Sequence, residues 1–146
     1  MSLEKCIAQA YKVKKARGWD TLYVAVDLHD TMTRSSYRKD ESSEKIYYPN
    51  CIEALKYLSS RKDLVLILYT SSYRDYLESY YDSFEKLGIV FKYLNENPEC
   101  PSSKLSNFSN KFYFNVLLDD KAGFDPESDW IKVLTEFKFY EETELK

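Results

Sequence analysis

The stretch LYVAVDLHDTMTR, residues 22–34, decides the fold. Leu22 to Val26 form an apolar run with almost no polar alternation, and TLYVAVDL (21–28) reads as one continuous strand covered on both faces. The run stops at Asp27, and His29, Asp30 and Thr31 follow at once. Folding gains nothing from gathering two carboxylates and the single histidine of the chain at one strand end, because charged groups near a core are costly unless compensated. The residue types there point to something held.

Outward from this stretch, extended and helical patterns alternate. LVLILYT (64–70) reads as a second buried strand, IVFKYL (89–94) as a shorter third and FYFNVLL (112–118) as a fourth. Leu3, Ile7, Ala10 and Tyr11 recur at helical spacing, and Gly18 closes that helix. Ile52, Leu55 and Leu58 mark a short helix after Pro49-Asn50. Tyr73, Tyr76, Leu77, Tyr80, Tyr81, Phe84 and Leu87 form the best-defined helical stripe, with Gly88 placed as its C-cap. That stripe offers rings on which bases stack, yet core packing already accounts for its periodicity. A last helix carries Trp130, Val133, Leu134 and Phe137. Strands alternating with helices imply right-handed crossovers and a parallel sheet. The expected fold is a three-layer, Rossmann-like α/β domain over residues 1–146, with helices on both faces of the sheet.

Composition narrows the class. The chain has 146 residues, 44% hydrophobic and 31% charged, with three glycines and four prolines, which is globular usage. A net charge of −3 disfavours a general attraction to nucleic acid. The early basic cluster of Lys12, Lys14, Lys15 and Arg17 suits a solvated helix face, so no clear nucleic-acid-binding patch emerges. No apolar run approaches the roughly 18 residues of a membrane span, and the N-terminus lacks the apolar core of a signal peptide. Cys6, Cys51 and Cys100 are odd in number and far apart, which supports neither a disulfide framework nor a zinc site. Reduced thiols in a cytoplasmic protein are expected.

Parallel sheets place their chemistry at the carboxyl ends of the strands. The first strand ends in Asp27-Leu28-His29-Asp30-Thr31, the second in Thr70-Ser71-Ser72, and the fourth in Asp119-Asp120 with Asp125 beyond. Lys111 precedes the fourth strand, and Lys104 lies earlier in the same connection. Most of these residues also have plainer uses. Thr70 suits a turn, Asp125 before Pro126 suits a helix N-cap, Lys111 suits the surface, and His29 suits a satisfied turn. Asp119-Asp120 is different. At least one of two adjacent acids after FNVLL faces the rim, where a like-charge cluster with Asp27 is costly unless a cation sits among them. Oxygen donors of this kind suit Mg²⁺, which keeps waters that phosphate oxygens replace. A carboxylate beside it can attack phosphorus, while a hydroxyl and a lysine neutralise the transferring group.

In this order the residues resemble the haloacid dehalogenase-like phosphohydrolase superfamily. DLHDT (27–31), LILYTS (66–71), Lys111 and LLDDKAGFD (117–125) follow the order of its four motifs across nearly the whole chain. YLNENP (93–98) followed by KFYFNVLLDDKAGFDPESDW (111–130) is similar to a small phage- and bacteria-associated branch. The resemblance implies a Mg²⁺-dependent phosphomonoesterase working through an aspartyl-phosphate on Asp27. It implies that Thr70 and Ser71 hold the phosphoryl group and that Lys111, with Lys104 as second choice, pairs with Asp27 and the phosphate. It assigns the metal to Asp27, the main-chain carbonyl of His29, and Asp120, helped by Asp119 or Asp125.

Three departures qualify the match. His29 replaces the superfamily's second aspartate, the general acid and base; a histidine with a reference pKa near about 6.5 can do both jobs. Asp30 stands where many relatives have glycine. Ser72 stands where related sequences often have arginine, with Arg74 as a substitute. The segment from Thr33 to Tyr48 is too short for a cap domain, so the expectation is an open site with a bulky or macromolecular phosphorylated substrate, or a cap supplied by a neighbouring subunit. Arg34, Arg38, Lys39 and Lys45 of that segment are placed to flank such a substrate, but they are interleaved with Asp40, Glu41 and Glu44 as in a solvated loop. The alternative is a phosphate-binding or interaction module that keeps the fold but has lost turnover through His29. A signalling receiver domain fits less well, because its acidic pair lies on the first strand and its lysine after the last.

Overall fold

Strands β1 (Leu22–Asp27), β2 (Leu64–Tyr69), β3 (Tyr93–Leu94) and β4 (Val116–Leu118) form one all-parallel sheet in the order β3-β2-β1-β4. The structure is a computed structural model and describes residues 2–34 and 45–144. β1 occupies the interior of the sheet, paired to β2 along its whole length and to β4 over Val24 to Val26. This is why its sequence is apolar without alternation.

Helices α1 (Leu3–Arg17), α2 (Cys51–Ser60), α3 (Arg74–Leu87) and α4 (Trp130–Glu144) complete the element list with a 3-10 turn at Asp120–Ala122. Leu22, Val24 and Val26 of β1, with Leu66 and Leu68 of β2 and Leu118 of β4, join one core that receives side chains from all four helices. Those helical contributions include Ile7, Leu55, Phe84 and Trp130. Full burial of a large aliphatic side chain is worth about 1.5–3 kcal/mol, so this face supplies most of the driving force. The alternate strand residues point the other way. Ala25 and Ile67 are fully buried there, and the Tyr113 ring meets Tyr23 while Phe112 meets Tyr69. Asn97, itself buried, donates to the Tyr113 carbonyl at 2.9 Å. The Rossmann-like α/β fold is therefore present in three layers, but the four helices share one face of the sheet and the non-helical segment 97–114, rather than helices, lies over the second.

Several elements differ in extent from the sequence expectation. The third strand begins at Tyr93 rather than Ile89. The Ile89 amide caps α3 by donating to the Phe84 carbonyl, and the Val90 amide donates to Ser59 Oγ. The fourth strand begins at Val116 rather than Phe112. Asn115 ends it from below: its side-chain oxygen accepts from the Tyr23 amide and its own amide donates to the Tyr23 carbonyl, both at 2.8 Å. The tyrosine stripe of α3 is mostly not core. Leu77 and Phe84 are buried, Tyr80 packs partly against them, and Tyr73, Tyr76 and Tyr81 are exposed. Cys6, Cys51 and Cys100 are free thiols. No helix of the described residues is long and apolar enough to cross a membrane.

No cap domain is present among the described residues. Arg38, Lys39, Asp40, Glu41 and Glu44 lie outside them. Of the flanking cations, Arg34 pairs with Glu127 at 2.6 Å and stands over the Tyr48 ring. Lys45 donates to Ser79 Oγ and covers Tyr80.

Candidate active site

The sheet register sets the site. Asp27 is level with Tyr69, so Thr70 follows one step beyond on β2. Val26 is level with Leu118, so Asp119 leaves β4 beside Asp27. Three neighbouring strands thus deliver Asp27, Thr70 and Asp119-Asp120 to the same carboxyl rim. Asp27, Asp119 and Asp120 each offer one carboxylate oxygen within 4.8 Å of the others, and all three are half-buried. This cluster of oxygen donors can hold a metal ion.

Thr31 organises the cluster. Its side chain is fully buried. Its hydroxyl lies within donating distance of Asp27 Oδ2 at 2.9 Å and Asp120 Oδ1 at 3.1 Å, while accepting from the Asp120 amide at 3.0 Å. A hydroxyl has one hydrogen, so it satisfies only part of the two carboxylates at a time. Trp130 Nε1 donates to the Thr31 carbonyl at 2.8 Å and ties this loop to α4. Asp30 has φ +63°, the left-handed region that favours glycine, and asparagine and aspartate tolerate it best among the rest.

Burial pushes the Asp27 carboxyl up to about 6; the Thr31 hydroxyl opposes the rise, and the neighbouring Asp119 charge and Asp120 add to it. A bound cation would relieve the same crowding.

His29 and Ser72 share a hydrogen bond of 2.8 Å between Nε2 and Oγ. The His29 ring also meets Tyr80 edge-on, with centroids 5.7 Å apart. Thr70 is nearly buried, and its Oγ1 accepts from the Ser72 amide. Ser71 is exposed between them. The lysines are placed differently. Lys111 Nζ stands over the Phe114 ring, and neither it nor Lys104 forms an ion pair among the described residues. Lys111 lines a shallow cleft of about 380 Å³ with Phe108, Phe112, Tyr113 and Phe114, a cleft that the three aspartates do not line. Asp125 is also outside the cluster. Its carboxylate accepts from the Glu127 amide and Ser128 Oγ in a turn, and α4 begins only at Trp130. Arg74 is exposed in the first turn of α3.

Two residues of the site carried no role in the sequence reading. Thr31 closes the DLHDT stretch at the end of β1, so its signal was on view. Asn95 follows the β3 pattern directly, where an asparagine marks a left-handed turn; its side-chain oxygen accepts from the Thr70 amide at 2.9 Å and its amide group donates to the Thr70 carbonyl at 2.8 Å.

No family model matches this chain, and no curated protein matches it. Among solved structures it is similar to a conserved protein of Bacteroides thetaiotaomicron, with a TM-score of 0.61 and 21% identity over 82% of this chain and 91% of the other. That likeness extends to the fold alone.

Proposed function

We propose that this chain is a Mg²⁺-dependent phosphomonoesterase of the haloacid dehalogenase-like type. The convergence of Asp27, Asp119 and Asp120 at one rim is the observation that carries the reading. Three crowded carboxylates around one buried hydroxyl suit a hard divalent cation. Asp27 and Asp120, with Asp119 and the His29 carbonyl, would hold the ion, which supplies positive charge to the phosphoryl oxygens. Asp27 attacks phosphorus and the bond to the leaving oxygen breaks; the leaving oxygen takes a proton from His29. Water then attacks the aspartyl-phosphate, His29 takes its proton, and Asp27 is released with inorganic phosphate. Thr70 and Ser71 hold phosphoryl oxygens. Lys111 enters this reading through the resemblance alone. A rim without a cap among the described residues favours a bulky or macromolecular phosphorylated substrate, and the reading places the protein in the cytoplasm.

A second reading, a phosphate-binding module without turnover, draws on one observation: His29 Nε2 is engaged by Ser72. Hydrolysis of p-nitrophenyl phosphate with and without Mg²⁺ separates the two. The enzyme reading expects Mg²⁺-dependent turnover that Asp27→Asn abolishes. A wild type that binds phosphate without turnover, and gains turnover with His29→Asp, favours the module.

A further inference from the structure

The carboxyl end of β2 outruns its neighbours. The last β1 pair is Asp27 with Tyr69, and the last β3 pair is Leu94 with Leu68. The Thr70 main chain therefore lies beyond both ladders, and a residue this shielded from water needs partners for its N–H and C=O. Asn95 provides both. Its own amide still donates to the Leu68 carbonyl at 2.8 Å, and its backbone then turns left-handed, with φ +54°. The main chain of β3 leaves the sheet at this point, and the Asn95 side chain takes the place of the next β3 peptide. One amide group accepts from the Thr70 N–H and donates to the Thr70 C=O. With the N–H and C=O of Thr70 both held, its Oγ1 is free to accept from the Ser72 amide and to point its single hydrogen elsewhere.

We infer that Asn95 is a positioning residue: its side-chain amide clamps the main-chain N–H and C=O of Thr70 and thereby fixes the hydroxyl that meets the phosphoryl group. The phosphoryl half of this inference rests on the phosphatase reading; the clamp itself does not. Aspartate keeps an acceptor for the Thr70 N–H but opposes its carbonyl with a second oxygen. Glycine accepts the left-handed backbone without strain and lacks the amide, so Asn95→Gly separates a turn-forming role from the clamp.

The test compares wild type, Asn95→Gly and Asn95→Asp as full chains, each first shown to be folded. Two readouts are taken: hydrogen exchange of the Thr70 amide, with the Val26 amide as control, and p-nitrophenyl phosphate kinetics with Mg²⁺. In Asn95→Gly the Thr70 amide is expected to exchange about tenfold faster or more while Val26 is unchanged. The kcat/KM of both variants is expected to fall by about tenfold, the loss of one well-placed hydrogen bond. Asn95→Gly with wild-type exchange and wild-type kinetics would overturn the clamp and leave the phosphatase reading standing. Faster exchange with unchanged kinetics overturns the functional half alone. If wild type does not turn over, the phosphatase reading falls, and exchange at Thr70 still decides the clamp.

Discussion

His29 Nε2 lies 2.8 Å from Ser72 Oγ, so two of the three positions at which this chain departs from the phosphohydrolase pattern touch each other. Each alone looks like a defect. Together they form a bonded pair between the loops after β1 and β2, with Tyr80 against the imidazole. Residues in direct contact do not contribute additively. Ser72→Ala and His29→Ala are each expected to lower unfolding stability by about 1 kcal/mol, and the double variant to cost less than their sum. Additive losses in urea unfolding would mean that the bond contributes nothing. On the proposed phosphatase reading the same logic applies to rates: His29→Asp with Ser72→Arg should turn over faster than either single change predicts.

The carboxylate cluster makes a prediction whose sign reverses with metal. Asp27, Asp119 and Asp120 repel one another when no cation is bound. Asp120→Asn removes one charge and keeps an oxygen able to accept from Thr31. With EDTA present, Asp119→Asn and Asp120→Asn are expected to be neutral or stabilising, by up to about 1 kcal/mol. With Mg²⁺ the order inverts: wild type gains melting temperature and the variants gain less. Equal melting temperatures with and without Mg²⁺ would count against a metal site.

Asp27 adds a pH dependence. Its carboxyl is raised to about 6, chiefly by burial, against an unfolded value near about 3.9. The native state therefore holds the proton more tightly, and stability from this group is full below the unfolded value and lost as pH rises through about 6. Allowing for water at a half-buried group, the loss is about 1 kcal/mol. Thermal melts in EDTA from pH 4 to 8 check this, and Asp27→Asn should flatten that portion of the profile. With Mg²⁺ present the proton and the cation compete, so Mg²⁺ affinity measured by titration calorimetry should weaken as pH falls below about 6.

The strands that carry the site were the most legible part of the sequence, because a strand buried on both faces has to be apolar throughout and the chemistry has to appear where it stops. The readings TLYVAVDL and LVLILYT therefore correspond to β1 and β2 to within one residue at each end. The shorter edge strands were read too long. Apolar residues such as Phe112 and Phe114 pack as rings over the second face without entering a ladder, and an apolar pattern does not distinguish those two uses. Periodicity likewise put the α3 tyrosines in the core, although Tyr73 is 78% exposed; a tyrosine stripe reports helical spacing without reporting a partner. Side-chain amides that complete ladders, Asn95 and Asn115, look like ordinary turn residues until the register is known.

The buried pair Arg61 and Asp63 was invisible in the sequence because charged neighbours two apart usually mark a loop. Here Arg61 grips Asp63 through Nε and Nη2, at 2.8 and 2.7 Å, and also donates to the Phe137 carbonyl, Tyr57 and Tyr11. Both side chains are nearly inaccessible. Removing one partner strands the other charge in the interior, so Asp63→Ala is expected to cost about 3–5 kcal/mol. Replacing both with apolar residues of similar size, Arg61→Met with Asp63→Leu, should recover much of that loss, as judged by urea unfolding. Asp63 precedes β2 at the end opposite Thr70, so turnover per folded molecule should stay unchanged in the double variant. A fall in turnover without a fall in stability would mean that this network reaches the rim and is more than a brace between α1, α2 and α4.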